Sequence, residues 1–304
     1  MNDKGPRSAG LAAPLIKNGR QQMVLLGVSL LVLAVVYYQT QRFLDANHPQ
    51  LGGALHGGAI AAAATLAGTL PVLVIQGLSQ RVYDALLGFG AGVMLAASAF
   101  SLIVPGLEAA REQGAGPWAA ALIVSAGILV GAAFLLAIDQ GVPHEHFIKG
   151  VEGRRAKALK RAWLFVLAIA LHNFPEGLAI GVAFAGDDAG SASALATGIA
   201  IQDVVEGLVV ALALRTVGYS RAISVGLGAA SGLIEPLAAL FGAALVGISA
   251  TLLPWGLAMA AGGMLFVISH EIIPESHRQG HEAFATGGLM VGFVVMMMLD
   301  TALA

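Results

Sequence analysis

Apolar residues run along this chain in blocks of about 20, the length that crosses a hydrocarbon core about 30 Å thick as an α-helix. Nine blocks are read, at residues 22–39, 54–78, 83–106, 117–139, 162–184, 191–213, 222–247, 253–274 and 284–304. The first follows a basic start (Lys4, Arg7, Lys17, Arg20), as a secretory signal does. No small-x-small cleavage pattern follows Tyr37-Tyr38, so the block is read as a retained signal-anchor helix. The expected fold is an all-α polytopic membrane protein.

The basic residues test this count. With the N-terminus in the cytoplasm, 14 of the 16 Lys and Arg fall in cytoplasmic segments, and only Arg42 and Arg111 fall outside. Lys and Arg near helix ends set orientation, so the split supports nine spans and an extracytoplasmic C-terminus. The longest connection, 140–161, is then a cytoplasmic loop carrying His144 and His146 ahead of a basic run.

Two polar clusters break the apolar pattern at matching places. One is His172-Asn173-Phe174-Pro175-Glu176, the other Gln202-Asp203-Val204-Val205-Glu206. Carboxylates near the bilayer centre cost several kcal/mol each unless compensated, and neither block holds a Lys or Arg. His172 lies about ten residues into its block, hence about 15 Å deep. Glu235, in Ser231-Gly232-Leu233-Ile234-Glu235-Pro236, lies at a similar depth. Helical spacing stacks His172 on Glu176 and Gln202 on Glu206, with Asn173 and Asp203 three residues before the same glutamates. Pro175 and Pro236 adjoin the acids and remove N–H groups, leaving the carbonyls of Leu171 and Gly232 without their usual partners. Opened backbone at this depth is tolerated where it lines protein or a water-filled cavity.

Residues 169–178 align with 199–208 without a gap, keeping Ile, Ala, Glu, Gly and Leu identities. Consecutive helices run in opposite directions, so this similarity is the mark of an inverted-topology repeat, with substrate held where the repeats meet. A weaker echo pairs Gly92-Val93-Met94-Leu95 with Gly262-Gly263-Met264-Leu265.

Composition narrows the chemistry. The chain is 57% hydrophobic and 11% charged, with a mean hydropathy of +0.81. A net charge of −2 without a long basic run excludes a nucleic-acid partner by phosphate contacts. The absence of Cys excludes thiolate ligation. Four acids, one imidazole and two amides at one depth suit one divalent cation, or two sharing bridging glutamates. The imidazole favours a borderline ion such as Zn²⁺ over Mg²⁺ or Ca²⁺. Met94, mid-span, adds a candidate thioether.

These residues resemble the ZIP family of divalent-metal transporters, through His172-Asn173-x-Pro175-Glu176-Gly177 and Gln202-Asp203-x-x-Glu206-Gly207. The resemblance implies eight core helices over 54–304, built as inverted repeats. The first block is then an extra N-terminal helix with its linker (22–44), behind a cytoplasmic segment (1–21). It further implies import of Zn²⁺ into the cytoplasm at a two-metal site. His172, Glu176, Gln202 and Glu206 would hold one ion; Asn173, Asp203 and Glu235 would hold a second that shares both glutamates. Many eukaryotic members carry a second His in the fifth core helix. Gln202-Asp203 resembles bacterial branches instead, which implies a multi-pass protein of the bacterial inner membrane. The expected substrates are Zn²⁺, with Cd²⁺ and late first-row ions beside it; the expected partners are these ions and the lipid bilayer, and a homodimer is compatible with the reading.

Secondary candidates are His270 and Glu271 toward the cytoplasmic end of the eighth block, as an exit station, and the loop histidines His144, His146, His277 and His281. Ser101, one turn before Pro105, is expected to bond within its own helix, and Asp300 to lie at the interface. An H-E-x-x-H metalloprotease helix is excluded because residue 274 is proline, and no phosphate-binding G-x-x-x-x-G-K-[ST] loop occurs. The chain is read as a transporter, with no enzymatic activity. The rival reading is a channel or proton-coupled carrier for another divalent cation.

Overall fold

The architecture is taken from a computed structural model, which describes residues 34–75, 77–141, 173–216 and 218–303. All regular structure among these residues is helical. In chain order the helices are α1 (34–47), α2 (Pro49–Leu73), α3 (Gln80–Glu112), α4 (Pro117–Gly141), α5 (173–185), α6 (Ala189–Thr216), α7 (Arg221–Ile248), α8 (Ala250–His277) and α9 (Glu282–Leu303). Seven of them are long and apolar enough to cross a membrane: α2, α3, α4, α6, α7, α8 and α9. The chain is an all-α, multi-pass integral membrane protein. Residues 1–33 and 142–172, and with them His144, His146 and His172, lie outside the described residues.

Helix ends follow their local chemistry. The Ser79 and Ser220 hydroxyls accept from the amides of Val82 and Ile223 and open α3 and α7. Gly114, Gly218 and Gly280 take positive φ (92°, 96° and 81°) just past α3, α6 and α8. After α3 and α6 the chain closes with Ala115 N–H to Ala110 C=O and Tyr219 N–H to Leu214 C=O, the six-to-one bond of a glycine-terminated helix. α2 begins at Pro49, earlier than the expected 54, because proline at a first helical position sacrifices no hydrogen bond.

Small residues decide how the helices pack. A Cβ added at Gly88 or Gly92 of α3 would lie 2.0 Å from a carbonyl oxygen of α9, and one at Gly288 or Gly292 of α9 would do the same to α3. Gly131 of α4 and Gly262 of α8 make the same reciprocal contact with each other's helix. Bare backbone lets membrane helices meet at van der Waals distance, where water supplies no drive for association. A second set of close approaches joins α2 to α6 and α5 to α7. The bundle thus divides into α3, α4, α8 and α9 on one side, and α2, α5, α6 and α7 on the other.

Two helices carry the same irregularity. α3 widens to a π-helix over Ala97–Ile103, and α8 over Ile268–Ile272. Each π segment ends just before a proline, Pro105 or Pro274. A proline ring clashes with the carbonyl four residues earlier, here that of Ser101 or His270, and a widened turn removes the clash. Met94 and Met264, the centres of the weaker sequence echo, are both fully buried shortly before these segments. The echo therefore marks equivalent places in α3 and α8, as an inverted repeat requires.

Candidate metal centre

Four helices bring the polar clusters together. α5 supplies Asn173 and Glu176, α6 supplies Gln202, Asp203 and Glu206, α7 supplies Glu235 and α2 supplies Thr65. Asn173, Glu176, Glu235 and Thr65 have no solvent-accessible surface, and Gln202 and Asp203 have almost none. Carboxylate oxygens of Glu176, Asp203 and Glu206 all lie within 4.8 Å of one another. Such crowding of like charges in a low-dielectric interior requires a compensating cation or bound protons.

Two amides organise the acids. Asn173 Nδ2 donates to Glu235 Oε1 at 2.9 Å, and the Thr65 hydroxyl reaches the same oxygen at 3.2 Å. Gln202 Nε2 lies 2.9 Å from Glu176 Oε1, 2.8 Å from Asp203 Oδ1 and 2.9 Å from Glu206 Oε2. A primary amide has two N–H donors, so three carboxylates around it exceed what it can satisfy. The remaining oxygens of the set confirm the shortage. Glu176 Oε2, Asp203 Oδ2, Glu235 Oε2 and Asn173 Oδ1 are buried without a hydrogen-bond partner among the described residues. Each buried unsatisfied group costs about 1–3 kcal/mol, more when charged.

The backbone geometry explains why these side chains meet. Gly177 follows Glu176, and a Cβ there would lie 2.4 Å from the Glu235 carbonyl; Gly207 follows Glu206, and a Cβ there would lie 2.1 Å from the Thr65 carbonyl. Each conserved step of the 169–178 and 199–208 repeat thus lays its glycine against one neighbouring helix, α7 or α2. The correspondence makes Thr65 the repeat partner of Glu235. Thr65 is absent from the sequence reading, although the Gly177–Gly207 equivalence carried into α2 and α7 leads to it. In α7 the helix breaks at Gly232-Leu233 and restarts at Ile234, placing Glu235 in a first turn. The Gly232 carbonyl, expected to lack its usual partner because of Pro236, is not orphaned: it accepts from Glu235 N–H at 3.2 Å in a tightened turn.

The family model for the ZIP zinc transporter matches residues 144–300, just over half of the chain. The chain belongs to the ZIP family. It is 50% identical over 290 residues to zinc transporter ZIPB of Bordetella bronchiseptica, an alignment covering 95% of this chain and 93% of that one. Zinc transporter GufA of Myxococcus xanthus is 47% identical, covering 83% of this chain and all of the relative. Human zinc transporter ZIP11 is 33% identical, covering 84% of this chain and 99% of the relative. Membership makes the chain a metal-ion transporter and not an enzyme, with zinc as its substrate class.

The secondary candidates of this ZIP-family chain separate in space. Met94 is buried in α3, one turn beyond Gly90, whose Cβ position lies 3.5 Å from Gln202 Oε1. Residues four apart share a helix face, so Met94 lies on the side of α3 that meets Gln202. His270 is exposed and stacks on Phe266, with ring centroids 4.9 Å apart at 19°; Glu271 beside it is half-buried. His277 is not a solvated loop residue: it ends α8, with Nδ1 3.0 Å from the Ile273 carbonyl and Nε2 3.3 Å from Thr286 Oγ1. His281 Nδ1 lies 2.9 Å from Oδ2 of the buried Asp84. Ser101 does not bond within its own helix but donates to Asp300 Oδ1 of α9 at 2.6 Å. The π turn explains this, since it rotates Ser101 away from the normal i−4 carbonyl; Ser98, at its start, does bond back to Met94 C=O at 2.8 Å.

Proposed function

We propose that this chain imports Zn²⁺ into the cytoplasm, and passes Cd²⁺ and late first-row divalent ions, through a two-ion site between α5, α6 and α7. The observation that carries the reading is the set of buried oxygens on Glu176, Asp203, Glu235 and Asn173 that lack hydrogen-bond partners among the described residues. A divalent cation, which takes several oxygen ligands at once, satisfies them together. His172, Glu176, Gln202 and Glu206 hold the first ion. Asn173, Asp203 and Glu235 hold the second, and the two glutamates bridge. Gln202 now directs Nε2 at three carboxylates, and an N–H donor cannot ligate; on binding the first ion its amide turns so that Oε1 faces the metal. Met94 adds a soft thioether on the α3 side.

Binding energy here must be moderate, because the ion has to leave. One oxygen of each carboxylate is already within reach of Asn173, Gln202 or Thr65, which lowers the reorganisation needed on loading and competes with the metal for lone pairs. Alternating access, by sliding or rocking of helices, then exposes the site to each side in turn, with His270 and Glu271 of α8 on the cytoplasmic route. A negative-inside potential assists entry by about 4.6 kcal/mol per 100 mV for a doubly charged ion, from about 2.3 per unit charge.

The test is Zn²⁺ uptake into sealed vesicles, with and without a pH gradient. Import should follow the membrane potential and be lost in His172→Ala and Glu206→Gln at normal expression. Uptake at the original rate in either variant would refute the site. Uptake that requires the pH gradient would favour the proton-coupled rival.

A further inference from the structure

The seam between the two helix groups opens sideways into an apolar groove of about 290 Å³, between α4 and α8 on one side and α5 and α7 on the other. We propose that this groove is a binding site for one acyl chain of a membrane phospholipid, entering from the leaflet on the side of the α7–α8 turn and ending against Pro175.

Three features identify the occupant. The first is the lining: Phe134, Phe174 and Phe241 form a continuous aromatic wall, with centroids 6.3 and 6.4 Å apart, and every lining side chain is apolar. Among the described lining residues no charged group offers to hold a headgroup or an ion, so recognition is of hydrocarbon. An apolar cavity of about 150 Å³ already stays dry and takes up a small hydrocarbon; this one has about twice that room. The second is the opening. Phe134 and Phe241 are 46% and 50% exposed, on faces that meet the bilayer, so the groove communicates with lipid and not with water. The third is length. Trp255, near the start of α8, stands at the mouth, where an indole prefers the membrane interface. Gly263 closes the inner end eight residues later, about 12 Å along the helix, which is close to the depth of one leaflet's hydrocarbon, about 15 Å.

The inner end gives the site its consequence. A Cβ on Gly263 of α8 would lie 3.1 Å from the Pro175 ring, and Pro175 immediately precedes Glu176. The chain therefore fills the seam between the helix group that carries Glu176 and the group that carries α8, and any displacement of α5 along α8 must slide past it.

The experiment uses the unmodified full-length protein in phosphatidylethanolamine–phosphatidylglycerol vesicles doped with a phospholipid bearing a photoreactive diazirine in one acyl chain. After illumination, labelled peptides are mapped by mass spectrometry. Several-fold more label is expected on Leu178 and Met259, which line the groove, than on Leu122 and Leu129, open bilayer-facing positions of α4 that are 68% and 70% exposed. Labelling should not depend on which headgroup carries the probe, and Met259→Trp should lose the groove label while Leu122 keeps its own. Groove labelling no higher than at Leu122 would overturn the proposal. So would an unlabelled groove beside a labelled Leu122, which would mean that protein covers it. The unmodified chain decides the matter even if the Trp variant fails to fold.

Discussion

Thr65→Val replaces a hydroxyl by a methyl of nearly the same size and so asks whether α2 takes part in metal binding. The Thr65 hydroxyl has one hydrogen and two acceptors within reach, Glu235 Oε1 and the Ala61 carbonyl, each at 3.2 Å. A hydrogen bond to a charged group is worth about 1.5–3 kcal/mol. Shared between two acceptors, with Asn173 still holding the same oxygen at 2.9 Å, the loss at Glu235 is about 1 kcal/mol. At 1.4 kcal/mol per tenfold, that is about a fivefold weaker hold on the ion bound by Glu235, close to the lower edge of the 10–100-fold range for outer-shell ligands. The assay is competition for Zn²⁺ against a chromophoric chelator in detergent, with Glu235→Ala as the reference for full loss of that ligand. Thr65→Ser keeps the hydroxyl and should bind like the unmodified chain. If Thr65→Val matches Thr65→Ser in both affinity and stoichiometry, the hydroxyl serves only the Ala61 carbonyl, and the argument that α2 supports the site fails.

Asp203→Ala should lower the number of Zn²⁺ ions bound at saturation while leaving measurable uptake, as read by metal analysis of the purified protein; unchanged stoichiometry would place Asp203 outside the ligand set. Gly207→Val puts a side chain where even a Cβ would stand 2.1 Å from the Thr65 carbonyl, so α6 must separate from α2. Overpacking of this kind costs about 1–3 kcal/mol, visible as a lower unfolding temperature in detergent, together with weaker Zn²⁺ binding because Glu206 moves with the glycine. Asp188 precedes α6 and accepts from the Ser191 hydroxyl at 2.6 Å and the amides of Gly190 and Ser191. The Ser191 hydroxyl and amide hold its carboxyl below the ordinary Asp value of 3.8. A depressed folded value means that the cap is fully present above about pH 4 and is lost as pH falls through the lower folded value. Asp188→Ala should therefore lower the unfolding temperature slightly at neutral pH, and the difference should vanish in strong acid.

Much of the architecture was legible because a membrane helix must satisfy its backbone internally and cover itself with apolar side chains. The block at 117–139 became Pro117–Gly141, and the block at 191–213 became Ala189–Thr216. The Glu176 and Glu206 positions were legible for the opposite reason, since an uncompensated acid in such a block has no ordinary explanation. What sequence did not show depends on contacts across helices. Ser101 looked like a serine bonding its own backbone, and only the π turn before Pro105, which no local propensity predicts, turns it to Asp300. Thr65 carries no charge and sits in a block rich in Ala and Gly, so nothing about its own neighbourhood singles it out. His277 and His281 read as loop residues because their partners, Thr286 and Asp84, come from other helices.

The repeat locates the site, but departures from the repeat give it its chemistry. In register, His172 matches Gln202, Asn173 matches Asp203, Glu176 matches Glu206, and through the glycine contacts Thr65 matches Glu235. Only the Glu176–Glu206 pair is the same residue twice, and it is the pair proposed to bridge two ions. The half-site of α5 and α2 carries one acid, Glu176; the half-site of α6 and α7 carries three, Asp203, Glu206 and Glu235. A symmetric version would hold either two acids in all, too few for two divalent ions, or six, too many to bury when no ion is present. The asymmetric set lies between these extremes, and its neutral members are the ones that brace the acids: Asn173 and Thr65 share Glu235 Oε1, while Gln202 spans the other three carboxylates. The same residues that break the symmetry therefore keep the acids in place before an ion arrives, which is what a site that must both load and release its cargo requires.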